Sequence, residues 1–148
     1  MSAALLDVNV LVTLLWHPHA FHQAAMKWFS NNAKQGWATC SLTQAGFVRV
    51  VSNPAVDAAA PIPAKALGLL KASTESNPYH EFWTDTVPLT SISPDLRNRI
   101  HGHNQITDAY LLAMAIHRNA TLVTFDSRMQ SLAPKGSAEH HALVILRP

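Results

Sequence analysis

Two short runs of this sequence each end on a lone aspartate. Ala3 to Leu6 is stopped by Asp7, and Ala120 to Phe125, apolar but for two threonines, is stopped by Asp126. An apolar run of this length without alternation reads as a strand buried on both faces, as in parallel sheets covered by helices on each side. The segments between the runs supply those helices. Val10 to Trp16 turns helical, and after His17 and Pro18 the residues Phe21, Ala24, Ala25, Trp28 and Phe29 are spaced along one helical face until Gly36 closes it. Trp37 to Leu42 reads as a second strand. Thr43 then looks like the N-cap of a helix carrying Phe47, Val48, Val50 and Val51, ended by Asn53 and Pro54.

Pro61 and Pro63 introduce a further helix, Ala64 to Ser73, followed by a looser section around Glu81 to Trp83 and a short strand near Val87 to Leu89. From Pro94 the chain is helical again. Gln105 to Arg118, with Asn104 as its expected N-cap, is apolar on nearly every side and must be largely buried, and Ala142 to Leu146 gives a last strand. Alternating strands and helices over 148 residues predict one domain spanning 1–148, an α/β fold of three layers, α/β/α, around a mostly parallel sheet of about five strands.

Charged residues make up 14% of the chain, against about 25% in an average soluble protein, so few ionisable groups are available for chance placement. The net charge of +2 and the nine histidines suit a polyanionic partner, although the lysines and arginines are dispersed. The single cysteine, Cys40, excludes an intrachain disulfide and reads as a small buried hydrophobe. Asp7 and Asn9 interrupt the first apolar run and no basic region precedes it, so it reads neither as a signal peptide nor as a membrane span. A cytoplasmic protein is expected.

In an open parallel sheet the carboxyl ends of the strands face the ligand crevice, so Asp7 and Asp126 are expected to open onto one groove. Asp108 falls in the first turn of the buried helix, where the helix dipole favours a carboxylate, and an acid among so many apolar neighbours calls for a partner or a metal. Asp-Ser-Arg after a strand is also an ordinary turn, which leaves Asp126 open to a structural reading. Carboxylates gathered in one space repel each other. A hard divalent cation, Mg²⁺ or Mn²⁺, resolves that conflict and can activate water against a phosphodiester.

Four segments in this order resemble the PIN-domain ribonucleases, in particular the VapC toxins of bacterial toxin–antitoxin modules. They are Leu-Leu-Asp7-Val-Asn9-Val-Leu, Leu42-Thr-Gln-Ala-Gly-Phe-Val-Arg49-Val, Ile106-Thr-Asp108-Ala-Tyr-Leu-Leu-Ala-Met-Ala and Leu122-Val-Thr124-Phe-Asp126. The resemblance implies a PIN-like parallel sheet flanked by helices, and an acidic Mg²⁺ or Mn²⁺ site at Asp7, Asp108 and Asp126 that cleaves RNA. It implies polar residues at Asn9 and Thr124 that orient the acids, and an RNA or structural role for Arg49. It also implies a homodimer and a cognate antitoxin protein that enters the site.

The sequence departs from the family at Gln44, where most members carry a glutamate, and no acid lies between Val8 and Val56 to replace it. A glutamine carbonyl can still accept a hydrogen bond from a metal-bound water, but it cannot act as a base. A one-metal site, or weaker metal binding, is therefore expected. Arg97, Arg99, His101 and His103 form the only local basic cluster and are candidates for RNA phosphate contact. His17, His19 and His22 lack the spacing of a structural zinc site and read as a surface loop. Two alternatives compete with the nuclease. One is a PIN-like module that binds RNA or protein without cutting. The other is a haloacid-dehalogenase-like phosphatase, which needs a second acid where Asn9 stands.

Overall fold

The computed structural model describes residues 3–16, 20–84 and 87–148. His17, Pro18 and His19, and with them two of the clustered histidines, lie outside the described residues. Five strands form one sheet: β1 (Ala4–Leu6), β2 (Trp37–Cys40), β3 (His80–Trp83), β4 (Thr121–Thr124) and β5 (Leu143–Ile145). Their order is β3-β2-β1-β4-β5 and every pairing is parallel. The helices are α1 (Val8–Leu15), α2 (His22–Asn32), α3 (Ser41–Val51), α4 (Pro63–Glu75), α5 (Pro94–Asn98) and α6 (Ile106–His117).

The short runs of β1 and β4 are buried but for the half-buried Thr121, because both faces of the sheet are covered. Leu5 and Leu122 point to a core shared with α5, α6, Met129 and Leu132. Ala4, Leu6 and Val123 point the other way, into a core built from α1, α2, α3 and α4 around Trp37 and Phe47. Three layers result, as the alternation predicts. Trp37 and Trp83 are core residues, and Cys40 is fully buried. Gly36 turns the chain into β2 at φ +102°, a conformation L side chains rarely adopt, and Asn119 ends α6 at φ +53°.

Local expectations shift in three places. The strand expected at Val87 to Leu89 forms instead at His80–Trp83, where it pairs with β2 in the register Trp37↔His80 to Cys40↔Trp83. It is an edge strand whose Glu81 and Phe82 are exposed, so its sequence lacks the apolar run of a central strand. Pro88, by contrast, has no N–H to give a sheet, and Leu89–Ser91 makes a 3₁₀ turn. Thr43 is not the cap of α3. The cap is Cys40, and the Thr43 hydroxyl reaches back to accept from its backbone N–H at 2.9 Å. Asn104 does not cap α6 either, since a 3₁₀ turn over His103–Gln105 precedes the helix and Gln105 takes the cap position.

Candidate active site

Asp7 is placed by the two ends it joins. Its backbone N–H donates to Val123 O at 3.0 Å, tying it to β4, while its side chain caps α1 by accepting from Val8 N at 2.8 Å. The cap leaves the second carboxylate oxygen for a polar knot. Thr124 Oγ1 donates to Asp7 Oδ2 at 2.8 Å, and Asn9 Nδ2 donates to the Thr124 hydroxyl at 3.1 Å and more weakly to Asp7 Oδ2 at 3.4 Å. Asn9 in turn accepts from Phe125 N at 3.1 Å, and Thr124 Oγ1 accepts from Asp126 N at 3.0 Å. Asn9 and Thr124 therefore fix the rotamer of Asp7 and the course of the chain into Asp126.

A cavity of about 480 Å³ opens above this knot, and Asp7, Asp108 and Asp126 all line it, on a wall completed by Val12, Phe21, Val50 and Phe125. A smaller polar cavity of about 220 Å³ adjoins it, sharing Asp108 and Asp126 and adding Asn104, Gln105, Arg128 and Ser131. The acids expected at the strand ends and on α6 thus meet at one place. They are not equivalent. Asp7 is only 7% exposed, and burial pushes its carboxyl up, helped by the charge of Asp126 and opposed by the hydrogen bonds from Thr124 and Val8. Burial, then the charges of Asp7 and Asp126, hold Asp108 at about 6. Its carboxylate accepts no hydrogen bond from a described residue. Asp126 goes the other way, because Arg128 donates to both its oxygens, at 2.9 Å from Nε and 2.9 Å from NH2, and keeps it ionised.

Asp126 also caps the 3₁₀ segment Ser127–Ser131 by accepting from Arg128 N at 3.0 Å. The turn expected of Asp-Ser-Arg is formed, and the same aspartate also lines the cavity. Arg128 itself is 84% exposed and stands where the two cavities join. Its presence in the site is what sequence reasoning missed, although the tripeptide containing it was in view. Among the described residues no three of His, Cys, Asp or Glu are placed together to hold a metal ion as they stand, and Asp126 is turned onto Arg128.

Gln44 is not among the residues lining either cavity. Its Nε2 donates to Thr39 Oγ1 at 3.0 Å, which also lies 2.8 Å from His80 Nε2, so the amide joins α3 to the β2–β3 seam. Two residues on, Gly46 lets α3 press against α1, because a Cβ there would meet Val8 Cγ2 at 2.5 Å. The basic residues divide. Arg49, Arg97, His101 and His103 are exposed and line neither cavity. Arg99 is committed to the fold, with NH1 2.7 Å from Glu139 Oε2 and donating to Leu132 O at 3.3 Å. The oxygen-only set offered by Asp7 and Asp108, with Asp126 adjacent, fits a hard divalent ion that keeps several of its waters.

The PIN domain family model matches residues 4–135. Ribonuclease VapC44 of Mycobacterium tuberculosis is 42% identical over 138 residues, covering 93% of this chain and 96% of its own. Ribonuclease VapC39 of the same organism is 43% identical over 136 residues, covering 92% and 97%, and Ribonuclease VapC38 is 46% identical over 130 residues, covering 88% and 89%. In structure, the chain is similar to one in the crystal structure of VapBC2 from Rickettsia felis bound to a DNA fragment from its promoter. The TM-score is 0.62 at 20% identity, with 98% of this chain and 99% of that chain covered, which is a likeness of fold. By the family model and by these relatives, the chain belongs to the PIN-domain family, among its VapC ribonucleases.

Proposed function

We propose that this protein is a divalent-metal-dependent endoribonuclease, the toxin of a toxin–antitoxin pair, which hydrolyses RNA phosphodiester bonds in the cavity formed by Asp7, Asp108 and Asp126. The observation that carries the reading is the convergence of three carboxylates, from the ends of two strands and the first turn of a helix, in one cavity. One of them accepts no hydrogen bond from a described residue, so it is free to take a cation or hold a water. Asp7 and Asp108 would hold Mg²⁺ or Mn²⁺ directly, with Asp126 joining them as it leaves Arg128. A bound divalent ion supplies charge neutralisation for the phosphodiester and lowers the pKa of the attacking water.

The chain's own residues do the rest. Asn9 and Thr124 hold the Asp7 carboxylate in one orientation by the bonds described above. Without the ion Asp108 is held at about 6, so proton and cation compete for its carboxylate near neutral pH. Val12, Phe21, Val50 and Phe125 give the cavity an apolar side against which a ribose or base can rest while its phosphate faces the acids. A cognate antitoxin and a homodimeric assembly belong to the same reading. Exposed Ile62 and Leu67 at α4, and Phe82 on β3, offer apolar surface for such contacts. No described helix is long and apolar enough to cross a membrane, and we place the activity in the cytoplasm.

The test is direct. Purified protein with Mn²⁺ or Mg²⁺ is expected to cut cellular RNA at discrete positions, EDTA to stop it, and Asp7→Asn or Asp108→Asn to abolish it. RNA that stays intact while remaining bound would make the protein a binding module instead.

A further inference from the structure

Three cavities follow one another from the carboxyl ends of β1 and β4 to the side of β5, neighbouring ones sharing lining residues, and their linings change sign from one end to the other. The acidic cavity shares Asp108 and Asp126 with the polar one. The polar one shares Ser131 with a third, of about 610 Å³, beside β5. Lys135, His140 and Arg147 line this last cavity, and no carboxylate does.

Strand register accounts for the arrangement. Thr124 pairs with Ile145, and Leu146 N donates to Thr124 O at 2.8 Å. Asp126 lies two residues beyond the paired position on β4, and Arg147 two residues beyond it on β5. The two therefore leave neighbouring strands at the same edge. Arg128 lines the polar cavity, which shares Asp126 with the acidic cavity and Ser131 with the one that Arg147 lines.

Several cations of the fold, Arg128 of this track among them, are held in ion pairs. Lys71, Arg99 and Arg118 pair with Glu75, Glu139 and Glu81. Lys135 and Arg147 are exposed and form no ion pair with a described residue. Unpaired cations on a convex face merely solvate it. Here they line a concave track continuous with the acids, the arrangement that concentrates a polyanion.

We propose that this track carries the RNA strand away from the cleavage site, with Arg128, Lys135 and Arg147 contacting successive backbone phosphates on the β5 side. The inference rests on the ribonuclease reading above. The guanidinium forks of Arg128 and Arg147 suit phosphate oxygens, and the ammonium of Lys135 acts as a point charge between them.

The experiment compares Lys135→Ala/Arg147→Ala with a control that removes the same charge elsewhere, Lys65→Ala/Lys71→Ala on α4. Binding of a fluorescent single-stranded RNA dodecamer is measured by anisotropy in EDTA over a range of salt. All the substituted side chains are exposed, and unchanged melting temperatures confirm folding. A single-strand phosphate contact adds about 0.7 to the salt slope, or about fivefold in affinity at 0.1 M salt. The track variant should therefore bind about 25-fold more weakly, with a slope lower by about 1.4, and the control within about twofold of wild type.

Equal weakening of both variants, reflecting net charge alone, overturns the proposal. So does a track variant that binds RNA as wild type does, whether or not it has lost affinity for an acidic protein partner. A wild-type protein that fails to cut RNA with Mn²⁺ sinks the ribonuclease reading itself. Cleavage by wild type together with full RNA binding by the track variant sinks the track alone.

Discussion

Replacing Asp108 by asparagine removes a carboxyl group that the metal-free fold holds at about 6, against 3.8 for the unfolded chain. A carboxyl whose pKa is raised on folding binds its proton more tightly in the native state. Its effect on stability is therefore nil below 3.8 and becomes a growing penalty as pH rises from there through 6. Taken at face value the gap corresponds to about 3 kcal/mol once both states are ionised. Asp108 is only half-buried, and solvent screening brings this to about 1–2 kcal/mol. The expected result is that Asp108→Asn in EDTA is as stable as wild type near pH 4 and about 1–2 kcal/mol more stable above pH 7. Urea unfolding of both proteins across that range measures it. With saturating Mn²⁺ the order should reverse, because the ion binds only the wild-type acids and stabilises the fold that holds them. A wild type already more stable than Asp108→Asn at pH 7 in EDTA would refute the electrostatic reasoning.

Gln44→Glu cannot donate to Thr39 Oγ1, so the side chain is expected to leave the β2–β3 seam and lend its charge to the acidic cavity, tightening Mn²⁺ binding about tenfold by calorimetry, equivalent to about 1.4 kcal/mol. Unchanged affinity would place position 44 beyond the ion's reach. Gly46→Ala drives a methyl group to within 2.5 Å of Val8 Cγ2, and the stiff valine passes the shift to its N–H, which donates to the Asp7 carboxylate; about 1–3 kcal/mol of stability should be lost in urea unfolding, with weaker Mn²⁺ binding. Arg99→Ala strands Glu139, whose carboxyl is desolvated by burial yet held below its usual range by Arg99, so about 2 kcal/mol should be lost at pH 7. A depressed carboxyl stabilises above its unfolded value and loses that contribution as pH falls, so the difference between Arg99→Ala and wild type should vanish in acid, and a pH-independent deficit would refute the pairing.

What the sequence disclosed follows from how locally each feature is determined. Asp7 and Asp126 were legible because a buried parallel strand must be apolar, and the first polar residue after it is necessarily at the crevice. Asp108 stood out because a carboxylate within Ile106 to Ile116 is costly without a partner. β3 was displaced because an edge strand needs to bury only one residue in four, Trp83, and its register is dictated by β2. Arg99 looked like part of a basic cluster because its partner, Glu139, is 40 residues away and joins it only through tertiary structure. Gln44 could be assigned to a family slot but not given a direction. Thr39, which holds it, is met in turn by His80 from the neighbouring strand.

The direction of Gln44 bears on how three acids share one cavity. Asp126 is held ionised by Arg128, so in the metal-free protein its charge adds to the larger effect of burial in pushing up the carboxyls of Asp7 and Asp108. A fourth acid at position 44 would raise them further and weaken the metal-free fold, while attracting a cation more strongly. The amide avoids that repulsion and donates a hydrogen bond to Thr39 instead. On this argument Gln44→Glu should do two opposite things in one protein: lower stability in EDTA and raise affinity for Mn²⁺. A variant that tightened Mn²⁺ without losing stability in EDTA would mean that repulsion among the acids is not what sets the properties of this site.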